Sequence, residues 1–241
     1  FELLKKIDAM DIPYWVPTYL MMFIGEHWGD SWRAGVHFGV THVHHFYTKR
    51  ALYTIGYTYS RAYLLSEQIK RYILFVVQQA VLGMAKISRY VPTHYSQVNQ
   101  YLSGTLYIGS QVVDVSFDYV ISGKIKRLLS LLNIYKVKEE LLITNQHLAK
   151  IFFEKKNNYD YIFTDPPFGD NLMYSELNFL WEAWLKVFTN NKNEAIINKH
   201  QKKGISDYQN LMTECFKAYY RVLKPGRWMT VEFSNTRSSV W

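Results

Sequence analysis

A short apolar run, Tyr159-Asp160-Tyr161-Ile162-Phe163, meets a rigid stop at Thr164-Asp165-Pro166-Pro167-Phe168-Gly169. The run reads as a buried strand, and the Pro-Pro pair fixes where it ends. Asp165 then stands at the carboxyl end of a strand, the edge where ligands of open α/β sheets bind. Downstream, Leu223-Lys224-Pro225-Gly226-Arg227 runs on into Trp228-Met229-Thr230-Val231-Glu232-Phe233-Ser234-Asn235. This reads as a helix end, a Pro-Gly turn and a second strand. Between the strands Met173, Leu177, Leu180, Trp181, Trp184 and Phe188 recur at helical spacing. A further helix has Tyr208, Leu211, Cys215, Tyr219 and Val222 inward and a capping box at Ser206 and Gln209. Strand, helix, strand implies parallel βαβ connections, hence an α/β fold.

The chemistry of the turn follows from its residue types. An exocyclic base amine is a poor nucleophile, because its lone pair is delocalised into the ring. Two acceptors on its N–H bonds draw the nitrogen toward tetrahedral geometry and free the lone pair. Ionised Asp165 is acceptor-only, and the Pro166 carbonyl supplies the second acceptor. Pro166 and Pro167 restrict the backbone, so little ordering is left for the moment of binding. Phe168 offers a stacking face, worth ~1–3 kcal/mol per base in single-strand binders.

Asp165-Pro166-Pro167-Phe168 resembles the motif of amino-methyltransferases, which methylate exocyclic amines of nucleic acid bases with S-adenosylmethionine. The Leu223-Lys224-Pro225-Gly226 passage is similar to the entry into the fifth strand of Rossmann-like methyltransferases, with Arg227 where a second glycine is usual. Asp11-Ile12-Pro13-Tyr14-Trp15-Val16-Pro17, Trp28-Gly29-Asp30-Ser31-Trp32-Arg33, Thr41-His42-Val43-His44-His45-Phe46-Tyr47-Thr48-Lys49-Arg50 and the passage from Tyr159 to Trp241 resemble a bacterial group of DNA methyltransferases. The resemblance implies a partial Rossmann-like, S-adenosylmethionine-dependent methyltransferase sheet. Residues 136–241 would form that core, and residues 1–135 a mostly helical, basic region suited to substrate recognition. Members of the group carry a glycine-rich cofactor motif upstream, which nothing here matches. They also continue into a last hairpin, so this chain is expected to be shortened at both ends. As catalytic residues the resemblance implies Asp165, Pro166, Pro167 and Phe168.

The coarse reading elsewhere places helices over residues 48–63, 66–88 and 117–132, and a sheet strand at Glu140-Leu141-Leu142-Ile143-Thr144. Thr144 and Asn145, at the end of that strand, are cofactor candidates beside Asp165, because related folds place cofactor-adenine contacts there. At 241 residues the chain is long enough for a substantial core. One cysteine, Cys215, excludes an internal disulfide framework, and its helical spacing makes it a buried thiol. No signal peptide and no apolar run of spanning length is present, which points to a cytoplasmic protein without a membrane partner.

The net charge is +8, and its placement matters more than its size. Residues 61–130 hold eight basic side chains against three acidic ones, an excess that favours a polyanionic partner. Lys124, Lys126 and Arg127 are its nucleic-acid-binding candidates. Lys49 and Arg50 join them, because cations in a helix's first turn oppose the dipole unless an anion is bound. His42, His44 and His45 cluster, yet no cysteine or carboxylate completes a zinc spacing. They read as packing ahead of a helix that Thr48 caps, and no metal is assigned. Glu176, soon after the motif, has two readings, a carboxylate facing the pocket and a surface carboxylate, and the second is preferred.

Three functions compete. The leading one is transfer of a methyl group from S-adenosylmethionine to adenine N6 of double-stranded DNA, the target base flipped out, in a restriction-modification or defence setting. RNA guanine-N2 methylation keeps the same grip on an amine. A non-catalytic, methyltransferase-like nucleic-acid-binding module accommodates the missing glycine motif.

Overall fold

The computed structural model describes residues 2–21, 39–91, 96–99, 106–109, 111–134, 147–148, 158–235 and 240. Contacts divide the chain into two units. Phe1–Lys138 with Glu176–Thr189 makes the first, and Glu139–Ser175 with Asn190–Trp241 the second.

The first unit carries helices α1 (Glu2–Ala9), α2 (Lys49–Ala62), α3 (Glu67–Gly83) and α4 (Phe117–Ile134), with an antiparallel pair β1 (Ser88–Val91) and β2 (Ser96–Asn99). Thr48 caps α2 as expected, its hydroxyl accepting from the Ala51 amide at 3.3 Å. Ala51, Leu52, Ile55, Tyr59 and Ala62 bury one stripe of that helix. Gly56 lies on the same helix because a Cβ there would stand 3.1 Å from the Trp15 carbonyl and from Tyr14 Cβ. α3 ends at Gly83, short of the expected Ser88. A Cβ at Gly83 would touch Val120 of α4 at 3.4 Å, Ala85 bridges to Tyr47, and Ser88 opens β1. Helix α5 (Tyr174–Leu185) belongs to this unit from Glu176 onward and drives Trp184 into the core, edge-on to Tyr47 at 5.6 Å.

The second unit is built on β3 (Tyr159–Thr164), α6 (Ile205–Val222) and β4 (Leu223–Val231). β3 and β4 pair in parallel, as a strand–helix–strand order implies. Their register shifts between Tyr159↔Leu223 and Tyr161↔Trp228. β4 there spends Lys224-Pro225-Gly226-Arg227 where β3 spends Asp160 alone, and Gly226 takes φ +71°. The Asp160 carboxylate fastens this bulge, 2.7 Å from Lys224 Nζ and 3.2 Å from Arg227. The Lys224 hydrogen bond, then the charges of Lys224 and Arg227, hold the Asp160 carboxyl below its usual range. Arg227, the departure from a double glycine, thus has a local partner.

Three expectations are corrected here. β3 is a strand but not a buried one, since Tyr161 is 55% and Phe163 60% exposed, and Trp228 beside Tyr161 is 80% exposed. These alternate side chains share one face of the sheet. The α6 cap is Gly204, whose amide donates to Asp207 Oδ2 at 2.8 Å. An acid three residues into the helix suits both that amide and the dipole, which leaves Ser206 and Gln209 inside the first turns. Cys215 is half-buried, while Tyr208 and Val222 of the same stripe are buried. The expected strand at 140–144 lies outside the described residues.

Candidate functional site

At the end of β3, Thr164 is pinned on both sides. Its carbonyl accepts from the Glu232 amide at 2.9 Å, and its hydroxyl shares a 2.8 Å hydrogen bond with Tyr219. The chain then enters the Asp-Pro-Pro-Phe-Gly turn. Tyr208 Oη donates to the Pro167 carbonyl at 2.7 Å, and Asn235 Nδ2 donates to the Phe168 carbonyl at 2.7 Å. The Ile197 amide donates to the Gly169 carbonyl at 3.1 Å. Gly169 takes φ +70°, and a Cβ there would press on Asn235 Nδ2 and Val240 Cγ1, both at 3.2 Å. Phe168 meets Phe233 edge-on at 5.4 Å.

Against that background two acceptors stand out. Among the described residues, neither the Asp165 carboxylate nor the Pro166 carbonyl receives a hydrogen bond. Asp165 is exposed at the strand tip, while Pro166 is buried. The turn is therefore held through the carbonyls at 167, 168 and 169.

The loop following α5 braces the same turn. Asn198 is buried, its Oδ1 accepting from the His200 and Gln201 amides at 2.8 and 3.0 Å. The Glu194 carboxylate takes the Ser175 amide at 2.9 Å and the Ser175 hydroxyl at 2.6 Å, fixing the start of α5. Tyr174, the first residue of α5, has its phenol pushed up by burial and further by the negative charges of Asp165 and Glu194. Tyr174 is thus placed in the field of Asp165. Tyr208 is likewise pushed up by burial. Tyr174, Glu194, Asn198 and Asn235 were not singled out from sequence as site residues. Only Asn235, at the end of the second strand passage, carried a signal that could have found it.

The other candidates have the following surroundings. Lys49 and Arg50 are in the first unit and have partners within the protein. Lys49 Nζ donates to the Asp8 and Met10 carbonyls, and Arg50 pairs with the Asp114 carboxylate. Lys124, Lys126 and Arg127 lie on α4, also in the first unit. Lys126 and Arg127 are exposed and Lys124 half-exposed, with no ion pair among the described residues. Thr144 and Asn145 lie outside the described residues. Glu176, expected at the surface, is 5% exposed, because the apolar stripe of α5 carries its first turn inward.

The histidines form a tight group, His44 and His45 with ring centroids 4.3 Å apart and His42 within 5.6 Å of both. His45 Nδ1 accepts from the Thr41 amide at 3.1 Å, which requires a neutral ring with its proton on Nε2. Burial, then the neighbouring histidines, lowers His44. Burial, then His42 and Lys86, lowers His45. Among the described residues no group of three His, Cys, Asp or Glu is placed to hold a metal ion, and no described helix is long and apolar enough to cross a membrane. No protein-family model matches the chain, and neither a curated protein nor a solved structure matches it.

Proposed function

We propose that this protein is an S-adenosylmethionine-dependent methyltransferase of the amino type, acting on adenine N6 of double-stranded DNA in the cytoplasm. The observation that carries the reading is the division of acceptors in the motif turn. Three consecutive carbonyls are tied down, and among the described residues nothing donates to the Asp165 carboxylate or the Pro166 carbonyl. Two open acceptors on a braced turn suit an incoming NH2 group, which carries two donors. Phe168, held by Phe233, supplies the ring against which the base lies. The amine nitrogen is drawn toward tetrahedral geometry before attack, and it becomes acidic only once methylated, so no base is needed beforehand. Such positioning can supply roughly 7–11 kcal/mol of barrier reduction. Because a paired base keeps its amine inside the duplex, the substrate would be presented flipped out.

The described residues do not present a cradle for the methyl donor. Gly169 lies between β3 and α5, and the space its missing Cβ leaves is filled by Asn235 and Val240. The same observation favours a second reading, a methyltransferase-like nucleic-acid-binding module that transfers nothing.

Mass analysis of nucleosides separates these readings after the full chain is incubated with S-adenosylmethionine and either unmethylated duplex DNA or transfer RNA. N6-methyldeoxyadenosine from DNA, lost in Asp165→Ala, is the expected result. N2-methylguanosine from RNA would move the substrate to RNA. Retained nucleic-acid binding with no methylated nucleoside would leave the binding module.

A further inference from the structure

Within the first unit, Trp15, Tyr59 and Tyr63 wall a cavity of about 180 Å³, lined also by Gly56, Ser60 and Lys186. Trp15 can approach α2 there because Gly56 has no side chain, and a Cβ at that position would stand 3.1 Å from the Trp15 carbonyl. Behind the wall, buried Trp184 meets Trp15 edge-on at 6.1 Å and lies 5.5 Å from the Tyr59 ring. The core thus fixes two of the three rings.

Lys186 stands at the rim. It follows α5 with φ +57°, a conformation that favours glycine. Its ammonium lies 3.9 Å from the centre of the Trp15 ring and 5.9 Å from that of Tyr63. Lys70 also lies over Tyr63, at 4.8 Å, but is tied to the Glu67 carboxylate at 2.6 Å. Lys186 has only rings as partners among the described residues. The Tyr59 hydroxyl is buried and has no hydrogen-bond partner. Burial, then the Tyr63 phenol, pushes the Tyr59 hydroxyl up, so it keeps its proton and remains a donor.

These groups discriminate between ligand classes by what they supply. A cationic ligand would be set against the Lys186 charge. An uncharged apolar one would cover that ammonium with carbon, at a cost in desolvation. A bare phosphate would gain nothing from three aromatic rings. A carboxylate carried on a flat ring uses every part of the lining. Its charge meets Lys186, an oxygen accepts from the Tyr59 hydroxyl, and its ring lies against Trp15 or Tyr63. The size agrees, since a cavity of about 150 Å³ accommodates one benzene ring. We propose that this cavity binds a small single-ring aromatic carboxylate, held at its charged end by Lys186 and Tyr59 and stacked on Trp15 or Tyr63. Binding here is independent of methyl transfer at Asp165, which belongs to the second unit.

Isothermal titration calorimetry of the full chain with benzoate is the test. Saturable binding is expected. Affinity should be lower by at least about fivefold for benzamide, which lacks the charge, and for acetate, which lacks the ring. Lys186→Gln should weaken benzoate binding about five- to tenfold, and Tyr59→Phe about three- to tenfold. Lys192→Gln, at an exposed position of the second unit, is the control and should change nothing. Absence of saturable benzoate binding overturns the proposal. So does equal affinity for benzamide or acetate, or undiminished affinity in Lys186→Gln and Tyr59→Phe variants that remain folded by circular dichroism.

Discussion

The protein has two polar turns that catch the eye in sequence, and they use their polarity in opposite ways. The histidine turn of the first unit spends most of its polar atoms on itself, with the buried His44 Nδ1 left without a partner among the described residues. His45 Nδ1 accepts from Thr41, the Thr41 hydroxyl bonds His42 Nδ1 at 2.8 Å, and Lys86 Nζ donates to the His45 carbonyl at 2.9 Å. The motif turn of the second unit is braced by Tyr208, Asn235 and Ile197, yet among the described residues no donor reaches Asp165 or the Pro166 carbonyl. A cluster of titratable residues is thus no indicator of function until its internal hydrogen bonds are counted.

The strongest way to break this contrast is Asp165→Ala. An exposed carboxylate without a donor holds nothing together, so unfolding free energy should change by less than about 0.5 kcal/mol. Methyl transfer should fall by more than about tenfold, at least ~1.4 kcal/mol of barrier. Matched urea titrations and turnover measurements check both halves. A variant that loses stability but keeps its rate would make Asp165 a structural residue like His45.

Gly169→Ala attacks the brace. The new side chain must adopt φ near +70° and press on Asn235 and Val240, at a cost of roughly 1–3 kcal/mol in chemical denaturation. Tyr208→Phe removes only the hydroxyl that holds the Pro167 carbonyl. Its expected cost is smaller, about 0.5–1.5 kcal/mol. If either change is neutral, the turn is not held as its hydrogen bonds imply, and the contrast with the histidine turn weakens.

What was legible in sequence was local. The strand before Asp165, the Thr48 cap and the parallel order of β3 and β4 follow from breakers, cap residues and periodicity, each readable within a few positions. Tyr208 was legible as an inward residue of α6, but the partner of its hydroxyl lies 41 residues away at Pro167, and no short-range pattern encodes that closure. Asn235 reaches Phe168 across 67 residues for the same reason. The exposure of Tyr161 and Phe163 was missed because an apolar run records what a strand can bury, and not which neighbours are there to bury it. Glu176 was misplaced by composition, since a carboxylate in the first turn of a helix is favoured by the dipole even where the apolar stripe draws it inward.

The smallest expected effect tests the histidine turn through pH. His44 and His45 are both lowered from the ordinary imidazole value, first by burial and then by neighbouring positive charge. The unfolded chain therefore binds protons at a higher pH than the folded one. By linkage the turn's contribution is fully present above about pH 6.5 and is lost as pH falls from there through the lowered folded values. Glu67 and Asp160 are also shifted downward, but from the lower carboxylate starting values, and so lie below that window. The urea midpoint should accordingly be higher near pH 7.5 than near pH 5, the interval in which histidine changes charge. Because both rings are half-buried, solvent screening keeps the difference small. His45→Asn retains an acceptor for the Thr41 amide but cannot be protonated, so combined with His44→Gln it should flatten the slope while leaving the midpoint near pH 7.5 little changed. An equally steep slope in the double variant would assign the acid sensitivity elsewhere. A collapse of stability at both pH values would show that the rings serve through packing, with the His45 Nδ1 acceptor incidental.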